Sequence, residues 1–173
     1  MKRTKNPAKE AEYRKRAADL VAQMTLHEKV SQMLSWAPAI ERLGIPAYNW
    51  WSEGIHGVGR AGTATVFPQA IGMAAAFDED MMEQVGNAVG VEARGKYNMC
   101  RAHGDRDIFK GLTVWAPNIN IFRDPRWGRG HETYGEDPFL TSRLGVRFVE
   151  GMQGNDPDYL QAAARAKHFA VHS

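Results

Sequence analysis

Leu112-Thr-Val-Trp-Ala116 is the stretch that most clearly indicates the fold. Its β-branched and aromatic residues predict a buried strand. A long polar loop from Pro117 to Asp137 follows, and Asp137-Pro138 has the form of an N-cap and a first helical position. Apolar residues then recur at helical spacing until Gly154, namely Leu140, Leu144, Phe148 and Met152. Strand, polar loop and amphipathic helix therefore succeed one another.

The same succession occurs upstream. Tyr48-Asn49-Trp50-Trp51 predicts a strand or its exit, and the glycine-rich loop from Ser52 to Gly62 follows it. That loop carries Glu53, His56 and Arg60, and polar loops after strands are usual places for a site. Asp78 is positioned to cap a helix from about Glu79 to Arg101. Its apolar stripe consists of Met82, Val85, Val89 and Ala93.

The last segment, from Tyr159 to Ser173, has two interpretations. Its alanines favour a helix, whereas its short length and its position after a helix favour a buried strand, which we predict. Strands alternating with helices indicate a parallel α/β fold. We therefore expect part of a (β/α)8 barrel.

Two helices are predicted before the first strand, as a helical lead-in over residues 1–42. Asn6-Pro7 begins the first helix, which runs to about Met24. Thr25 and Glu28 form a capping box for a short second helix. Its apolar face consists of Leu26, Val30, Met33 and Leu34. We expect both helices to serve structural packing.

Composition excludes several classes of function. The formal net charge of +2 gives no field that predicts nucleic acid or an anionic membrane as a partner. Arg126-Trp-Gly-Arg-Gly130 resembles an RNA-binding motif, but the acidic residues Asp124 and Glu132 flank it. Cys100 is a single cysteine, which excludes an internal disulfide framework. No apolar segment suits a secretory signal or a membrane span, so a cytoplasmic location is expected.

The loop from Arg123 to Pro138 mixes charges densely. Its carboxyl groups are Asp124, Glu132, Glu136 and Asp137, interleaved with Arg123, Arg126 and Arg129. One interpretation is a network of internal ion pairs that fixes the loop. The other leaves one guanidinium free to donate two hydrogen bonds to neighbouring sugar hydroxyls. Tryptophans 50, 51, 115 and 127 are candidates for stacking on a pyranose ring, or for ordinary burial.

Lys167-His168 places two polar side chains next to each other at the end of the last predicted strand. They would reach one ligand only if the strand ends or twists there. Burial of the histidine beside a snorkelling lysine is the alternative. His168 and His172 have a spacing that would allow a metal on a helix, but no Glu-x-x-His or Cys partner supports it. We therefore predict no metal and no cofactor.

Several segments together resemble glycoside hydrolase family 3, in its β-xylosidase and β-glucosidase branch. They are Met24-Thr-Leu-His-Glu-Lys29, Trp50-Trp-Ser-Glu-Gly-Ile-His-Gly57, Phe67-Pro-Gln69, Ala116-Pro-Asn-Ile-Asn120, the Arg123–Pro138 loop and Lys167-His-Phe-Ala170. Glu53-Gly54-Ile55 stands where typical glucosidases of the family carry Asp-Gly-Pro. The resemblance is therefore greater to the xylosidase and arabinofuranosidase side.

The resemblance implies a retaining exo-β-glycosidase that hydrolyses β-xylosides or β-glucosides in carbohydrate metabolism. It places four substrate-binding residues at the −1 subsite: Arg129, Lys167 and His168 as donors to sugar hydroxyls, and Glu53 as an acceptor. The family's nucleophile and acid/base lie further along the sequence, so no catalytic residue is expected in this chain. The resemblance thus implies that residues 1–173 form one partial domain, the N-terminal portion of an incomplete (β/α)8 TIM-type barrel. A β-linked saccharide and the remainder of the barrel, in the same or a complementary chain, are the expected partners. A non-catalytic, truncated sugar-binding half-barrel is the alternative.

Overall fold

The largest packed unit of the protein is a pair of helices, in a computed structural model that describes residues 6–169 and 172. Helix α4 spans Glu79–Ala102 and helix α5 spans Pro138–Gln153. The Asp78 carboxylate caps α4 by accepting from the N–H of Met81. Asp137 caps α5 in the same way, accepting from the first N–H groups of that helix. Both helices are confirmed, with bounds within one residue of those predicted.

The apolar stripes predicted for α4 and α5 face each other and form the core. Their most deeply buried members are Met82, Val89, Leu144, Phe148 and Met152, each 0% exposed. Val85 and Ala93 are also buried, and Leu140 is partly buried against them. Helical periodicity in the sequence therefore identified the core correctly.

Glycines let the two helices approach backbone to backbone. A Cβ atom added at Gly151 would lie 2.0 Å from the carbonyl oxygen of Glu83, and one at Gly86 would lie 2.3 Å from that of Phe148. Ion pairs border the contact on the solvent side, where Arg147 reaches the carboxylates of Glu79, Asp80, Glu83 and Glu150. The interface is therefore apolar in its centre and charged at its edge.

The strands are short. Strands β1 (Trp36–Ala37) and β2 (Tyr48–Asn49) form an antiparallel pair, whereas β3 (Thr113–Val114) and β4 (Ala163–Ala164) form a parallel pair. Ser52 forms a parallel bridge with Val114 on the other side of β3. Three chain segments thus run side by side in the same direction, as neighbouring strands of a barrel do.

The strands predicted over 48–51, 112–116 and 159–173 were too long. Val114 pairs with Ala164, but Asn118 pairs with Lys167, so the register changes by one residue between the two positions. Pro117 lies in this interval and has no N–H to continue the ladder. The result is a bulge that ends the regular pairing. Residues 170, 171 and 173 of the predicted last strand lie outside the described residues.

The architecture is mixed α/β and corresponds to part of a barrel domain, as expected. Over residues 6–169 and 172 the paired strands do not close into a barrel. The remaining elements are helix α3 (Ala70–Ala74) and two 3₁₀ turns, Glu41–Leu43 and Gly130–Glu132. These connect the strands to the helices and carry parts of the polar loops.

Two helices precede the first strand, as predicted. Helix α1 spans Pro7–Gln23 and helix α2 spans Leu26–Ser31, with the Thr25–Glu28 capping box formed. The expected packing was wrong, because neither helix buries a residue within the described part of the chain. The predicted apolar face is exposed, at 79% for Leu26, 56% for Val30, 84% for Met33 and 61% for Leu34. No described helix is long and apolar enough to cross a membrane.

Candidate functional site

A polar cavity of about 440 Å³ opens at the carboxyl ends of the parallel segments. The loop over residues 53–60 forms one wall. The loop over residues 129–132 and the side chain of Lys167 form another. Three of the four residues expected to bind substrate line this cavity, namely Glu53, Arg129 and Lys167. The expected acceptor and two of the expected donors therefore surround one space.

Glu53 is held by two partners on different sides. Lys167 Nζ donates to Glu53 Oε2 at 3.1 Å, and Trp51 Nε1 donates to Glu53 Oε1 at 3.0 Å. The Lys167 side chain is only 10% exposed, and this ion pair joins residues 114 positions apart. Each carboxylate oxygen keeps a further lone pair for a ligand hydroxyl, and the Lys167 ammonium keeps further hydrogens.

Trp51 is part of an aromatic pair beside the cavity. Its ring stacks on Trp115, with centroids 4.7 Å apart and an interplanar angle of 17°. Trp51 lines the cavity and is 39% exposed. Trp127 instead meets the edge of His172, and Trp50 meets Tyr48. Of the four tryptophans considered for stacking, Trp51 is therefore the one on the cavity wall.

Arg129 is engaged on most of its donors. Its Nε and NH2 groups donate to the two oxygens of Glu132 at 2.7 and 2.6 Å. NH1 lies 3.1 Å from His172 Nε2, and NH2 lies 3.4 Å from His168 Nε2. A guanidinium has five N–H donors, so one NH1 hydrogen is left without a partner among the described residues. The expected pair of hydrogen bonds from Arg129 to a sugar becomes a single one in this geometry.

The Arg129–Glu132 pair is also stabilised electrostatically. Burial raises the pKa of Glu132, but the hydrogen bonds and charge of Arg129, with Lys167 nearby, outweigh burial and leave that pKa below its ordinary value. Glu132 in turn raises the pKa of Arg129. Glu132 is therefore suited to holding Arg129 in place, and not to delivering a proton. A second expected ion pair of this loop, Asp124 with Arg126, is also present.

His168 lies outside the cavity wall and contacts Arg129. The peptide bond that joins it to Lys167 is cis. Its Nδ1 lies 2.8 Å from Asn120 Oδ1, which also accepts from the His168 backbone N–H at 2.9 Å. Burial, then the charges of His172, Lys167 and Arg129, lower the pKa of His168 to about 4. The ring is therefore neutral near pH 7, and its Nε2 is an acceptor and not the expected donor.

The loop that carries Glu53 is held in place by helix α4. Glu92 accepts from the backbone N–H and the hydroxyl of Thr65, and Lys96 donates to the carbonyls of Ala61 and Thr63. The ring of His56 contacts the carbonyl of Phe67 at 2.9 Å. Sequence reasoning missed Glu92 and Lys96, because a charged residue on a helix normally signals only a solvated face. It also missed Asn120, although that residue belongs to a motif already noted.

The residues around the cavity do not indicate a metal. Within residues 6–169 and 172, no group of three His, Cys, Asp or Glu side chains is placed to hold an ion. His168 and His172, noted for their spacing, both direct Nε2 towards the guanidinium of Arg129. A nitrogen that accepts from an arginine is not available as a metal ligand.

Comparison with known proteins gives a family match over most of the chain. Residues 16–173 match the glycosyl hydrolase family 3 N terminal domain. The "Xylan 1,4-beta-xylosidase" of Xylanibacter ruminicola is 50% identical over 92% of this chain, which covers 19% of that protein. The "Probable beta-D-xylosidase 7" of Arabidopsis thaliana is 49% identical over 91% of this chain, which covers 22% of it. The chain thus spans about a fifth of the length of these curated relatives.

Solved structures give the same result. The exo-beta-xylosidase XlnD, in complex with a xylobiose aziridine probe, superimposes with a TM-score of 0.81 at 39% identity, over 91% of this chain and 21% of that one. The beta-glucosidase DesR from Streptomyces venezuelae, in complex with D-glucose, superimposes with a TM-score of 0.69 at 34% identity. That match covers 90% of this chain and 19% of the other.

Proposed function

This chain belongs to glycosyl hydrolase family 3, and from that premise we propose that it is the sugar-binding segment of a retaining exo-β-glycosidase. The substrates proposed are β-xylosides or β-glucosides, cleaved at non-reducing ends. The segment would supply the −1 subsite through Glu53, Arg129, Lys167 and His168. The nucleophile and the acid/base would come from sequence outside these residues.

One observation carries this proposal. Two ion pairs, Glu53–Lys167 and Arg129–Glu132, come from separate loops and face the same cavity. A volume of about 440 Å³ falls within the range of pockets that bind small molecules. Fixed, oppositely charged groups around a polar space suit a neutral ligand with many hydroxyls, because each hydroxyl both donates and accepts.

The geometry suggests how each group acts on a sugar. The Lys167 ammonium has hydrogens beyond the one that Glu53 accepts, and Glu53 has lone pairs beyond those that Lys167 and Trp51 occupy. Arg129 contributes its remaining NH1 hydrogen. His168 acts through Arg129 in this geometry. Groups already held in place lose little freedom when the substrate binds, so they can favour the transition state.

Neither carboxylate of this cavity wall is proposed as a catalytic group. Glu53 is paired with Lys167 and Glu132 with Arg129. An acid catalyst of glycoside hydrolysis needs a raised pKa, and the pKa of Glu132 is lowered. The proposed role of both is therefore to hold cations and to accept from hydroxyls.

Xylosides are the favoured substrate within this proposal. The two curated relatives named above carry xylosidase names and are 50% and 49% identical to this chain, whereas the glucosidase DesR is 34% identical. The Glu53-Gly54-Ile55 sequence points the same way. Trp51, hydrogen-bonded to Glu53 and stacked on Trp115, gives the cavity a flat wall beside the proposed acceptor.

A chimaera tests the proposal. Residues 16–173 would replace the matching segment of the Xylanibacter ruminicola xylosidase, and hydrolysis of 4-nitrophenyl β-D-xyloside would be measured. We expect turnover with retention of configuration. Lys167→Met should lower kcat/KM by roughly 10²-fold or more, a far larger effect than its loss of stability. Lys29→Met, on the exposed surface of α2, is the matched control and should change neither. Undiminished turnover in Lys167→Met would contradict the assigned role.

The second candidate function is a sugar-binding half-barrel that has no turnover of its own and needs a complementary half. It is favoured by the open arrangement of strands over the described residues. The separately produced remainder of the relative would be mixed with this chain. Hydrolysis on mixing supports a latent enzyme segment, whereas sugar binding with an inert chimaera supports the second candidate.

A further inference from the structure

The imidazole of His168 is held between two groups that can each play only one hydrogen-bonding role. The backbone N–H of His168 donates to the same Asn120 atom that faces Nδ1, at 2.9 and 2.8 Å. A backbone N–H can only donate, so this atom is the carbonyl oxygen of Asn120, and Nδ1 carries the proton. On the opposite edge the guanidinium of Arg129, which can only donate, lies 3.4 Å from Nε2. Nε2 therefore carries a lone pair.

Asn120 is itself anchored. Its backbone N–H donates to Asn118 Oδ1 at 3.0 Å, and Asn118 is 1% exposed. Asn118 pairs with Lys167 in the parallel ladder, where the Ile119 N–H also donates to the Lys167 carbonyl. The amide of Asn120 is thus carried by a rigid segment that runs alongside Lys167 and His168.

The other two protonation states of the His168 ring would repel the Arg129 guanidinium. The Nε2–H tautomer and the imidazolium both direct an N–H at a guanidinium N–H, and the imidazolium adds a positive charge. The other charged or titratable groups around His168 are Lys167, His172 and Glu132. Glu132, the only anion among these, is occupied by Arg129. Loss of the correct ring state would therefore turn the guanidinium away from His168, while Glu132 still holds its other edge.

We propose that Asn120 is a positioning residue for Arg129 and that it acts through His168. By accepting the Nδ1 proton it keeps the Nε2 lone pair against the guanidinium, which fixes the orientation of Arg129 at the cavity. The consequence for sugar binding rests on the function proposed above, but the state of the His168 ring does not.

The ring state can be measured directly. The 173-residue chain would be labelled with ¹⁵N and its histidine rings recorded by long-range ¹H–¹⁵N correlation, with His168→Gln used to assign the signal. We expect the neutral Nδ1–H tautomer in the unmodified chain. Asn120→Ala should shift the population towards Nε2–H. Asn120→Asp is almost isosteric and should raise the pKa of His168 by roughly 1 to 3 units, because a carboxylate favours the imidazolium.

Asn98→Asp is the matched control, since Asn98 lies on the exposed side of α4 and the same charge is added. It should leave the His168 signals unchanged. An Nε2–H tautomer in the unmodified chain, or the same His168 pKa in Asn120→Asp as in Asn98→Asp, would overturn the proposal. Asn120→Asp retains both hydrogen bonds to His168, so a folded variant is expected even if Asn120→Ala does not fold.

Sugar binding provides the second measurement, with methyl β-D-xylopyranoside as the probe. Affinity in the unmodified chain should be level between about pH 5 and pH 8. In Asn120→Asp the xyloside affinity should fall by roughly tenfold near pH 5 and recover near pH 8. A purely structural role would give a loss that does not vary with pH, which contradicts the proposal. If the expected ring states are found but no variant binds the xyloside, the positioning role stands and the proposed function fails.

Discussion

Replacing Gly151 by alanine should destabilise the fold at the contact between α4 and α5. The added Cβ would lie 2.0 Å from the carbonyl oxygen of Glu83 and 2.8 Å from the backbone nitrogen of Asn87. Ordinary contact begins at 3.4 Å, so the helices must separate by about 1.4 Å at this point. Both atoms belong to the backbone of α4, and no flexible side chain can yield instead.

The magnitude follows from two opposing effects. Forcing an extra methyl group into a packed contact costs typically about 1–3 kcal/mol, and a backbone clash belongs at the upper end. Alanine in a helix interior is favoured over glycine by about 1 kcal/mol. The expected net loss is therefore about 2 kcal/mol of unfolding free energy. For a chain of this size that corresponds to a melting temperature lower by roughly 4–8 °C.

Gly145→Ala, in the same helix, is the matched control. Its Cβ would lie 3.4 Å from Ile119 Cγ2, an ordinary contact with a side chain. It should gain up to about 1 kcal/mol from helix propensity alone. Gly95→Ala on the exposed face of α4, with nothing within 4 Å, should behave alike.

Urea titration and thermal melting, followed by circular dichroism, would rank the three glycine variants against the unmodified chain. If Gly151→Ala is as stable as Gly145→Ala, the two helices do not pack with the closeness described, and the reasoning is refuted.

Three further predictions concern the site. The pKa of His168 is about 4 in the folded chain, below its ordinary value of 6.5, so the unfolded chain binds more protons between these two pH values. The unfolding free energy should therefore fall as the pH drops from 6.5 to 4, as measured by urea titration. The fall should be smaller in His168→Gln. Arg129→Lys keeps the positive charge but loses the planar guanidinium that donates to both oxygens of Glu132, so xyloside affinity should fall by roughly tenfold or more. Unchanged affinity by calorimetry would show that the shape of the guanidinium is not needed. Gly57→Ala places a Cβ 2.2 Å from the Thr65 carbonyl oxygen at a φ of +128°, so it should lose about 1–3 kcal/mol of stability and the xyloside site. Gly62 also has a positive φ, of +75°, but no neighbour within 4 Å, so Gly62→Ala should retain the site despite its backbone strain. Equal xyloside binding by the two variants would contradict this.

The helices could be predicted because their signals are local. Asp78 and Asp137 accept from N–H groups two or three residues away, and the apolar stripes repeat within each helix. The lengths of the strands could not be predicted in this way. Pairing depends on a distant neighbour, and the one-residue change of register beside Pro117 is visible only when both partners are in place. Periodicity likewise identified the apolar face of α2, but it did not show that this face is exposed over the described residues.

The site divides along the same line. Glu53 and Lys167 are 114 residues apart, and nothing in the sequence around either one indicates the other. The family resemblance supplied the four expected binding residues together, and the geometry brings three of them to one cavity. The resemblance did not supply their protonation states. That His168 accepts, and that Arg129 has one donor left, follow only from the positions of Asn120, Glu132 and His172.

Stability and binding are connected through helix α4. One face of this helix packs against α5 at Gly86. Another face holds the loop after Glu53 through hydrogen bonds with Glu92 and Lys96. That loop follows Glu53, whose partner Lys167 pairs with Asn118 beyond the bulge. Arg94 of α4 also donates to the carbonyls of Leu160 and Gln161, in the segment that leads to Lys167, so α4 is hydrogen-bonded to both segments that carry the ion pair. The Glu53–Lys167 ion pair, 3.1 Å long, joins these two segments beside the cavity, so a disturbance of the α4–α5 contact is expected to affect the proposed site as well as the stability of the fold.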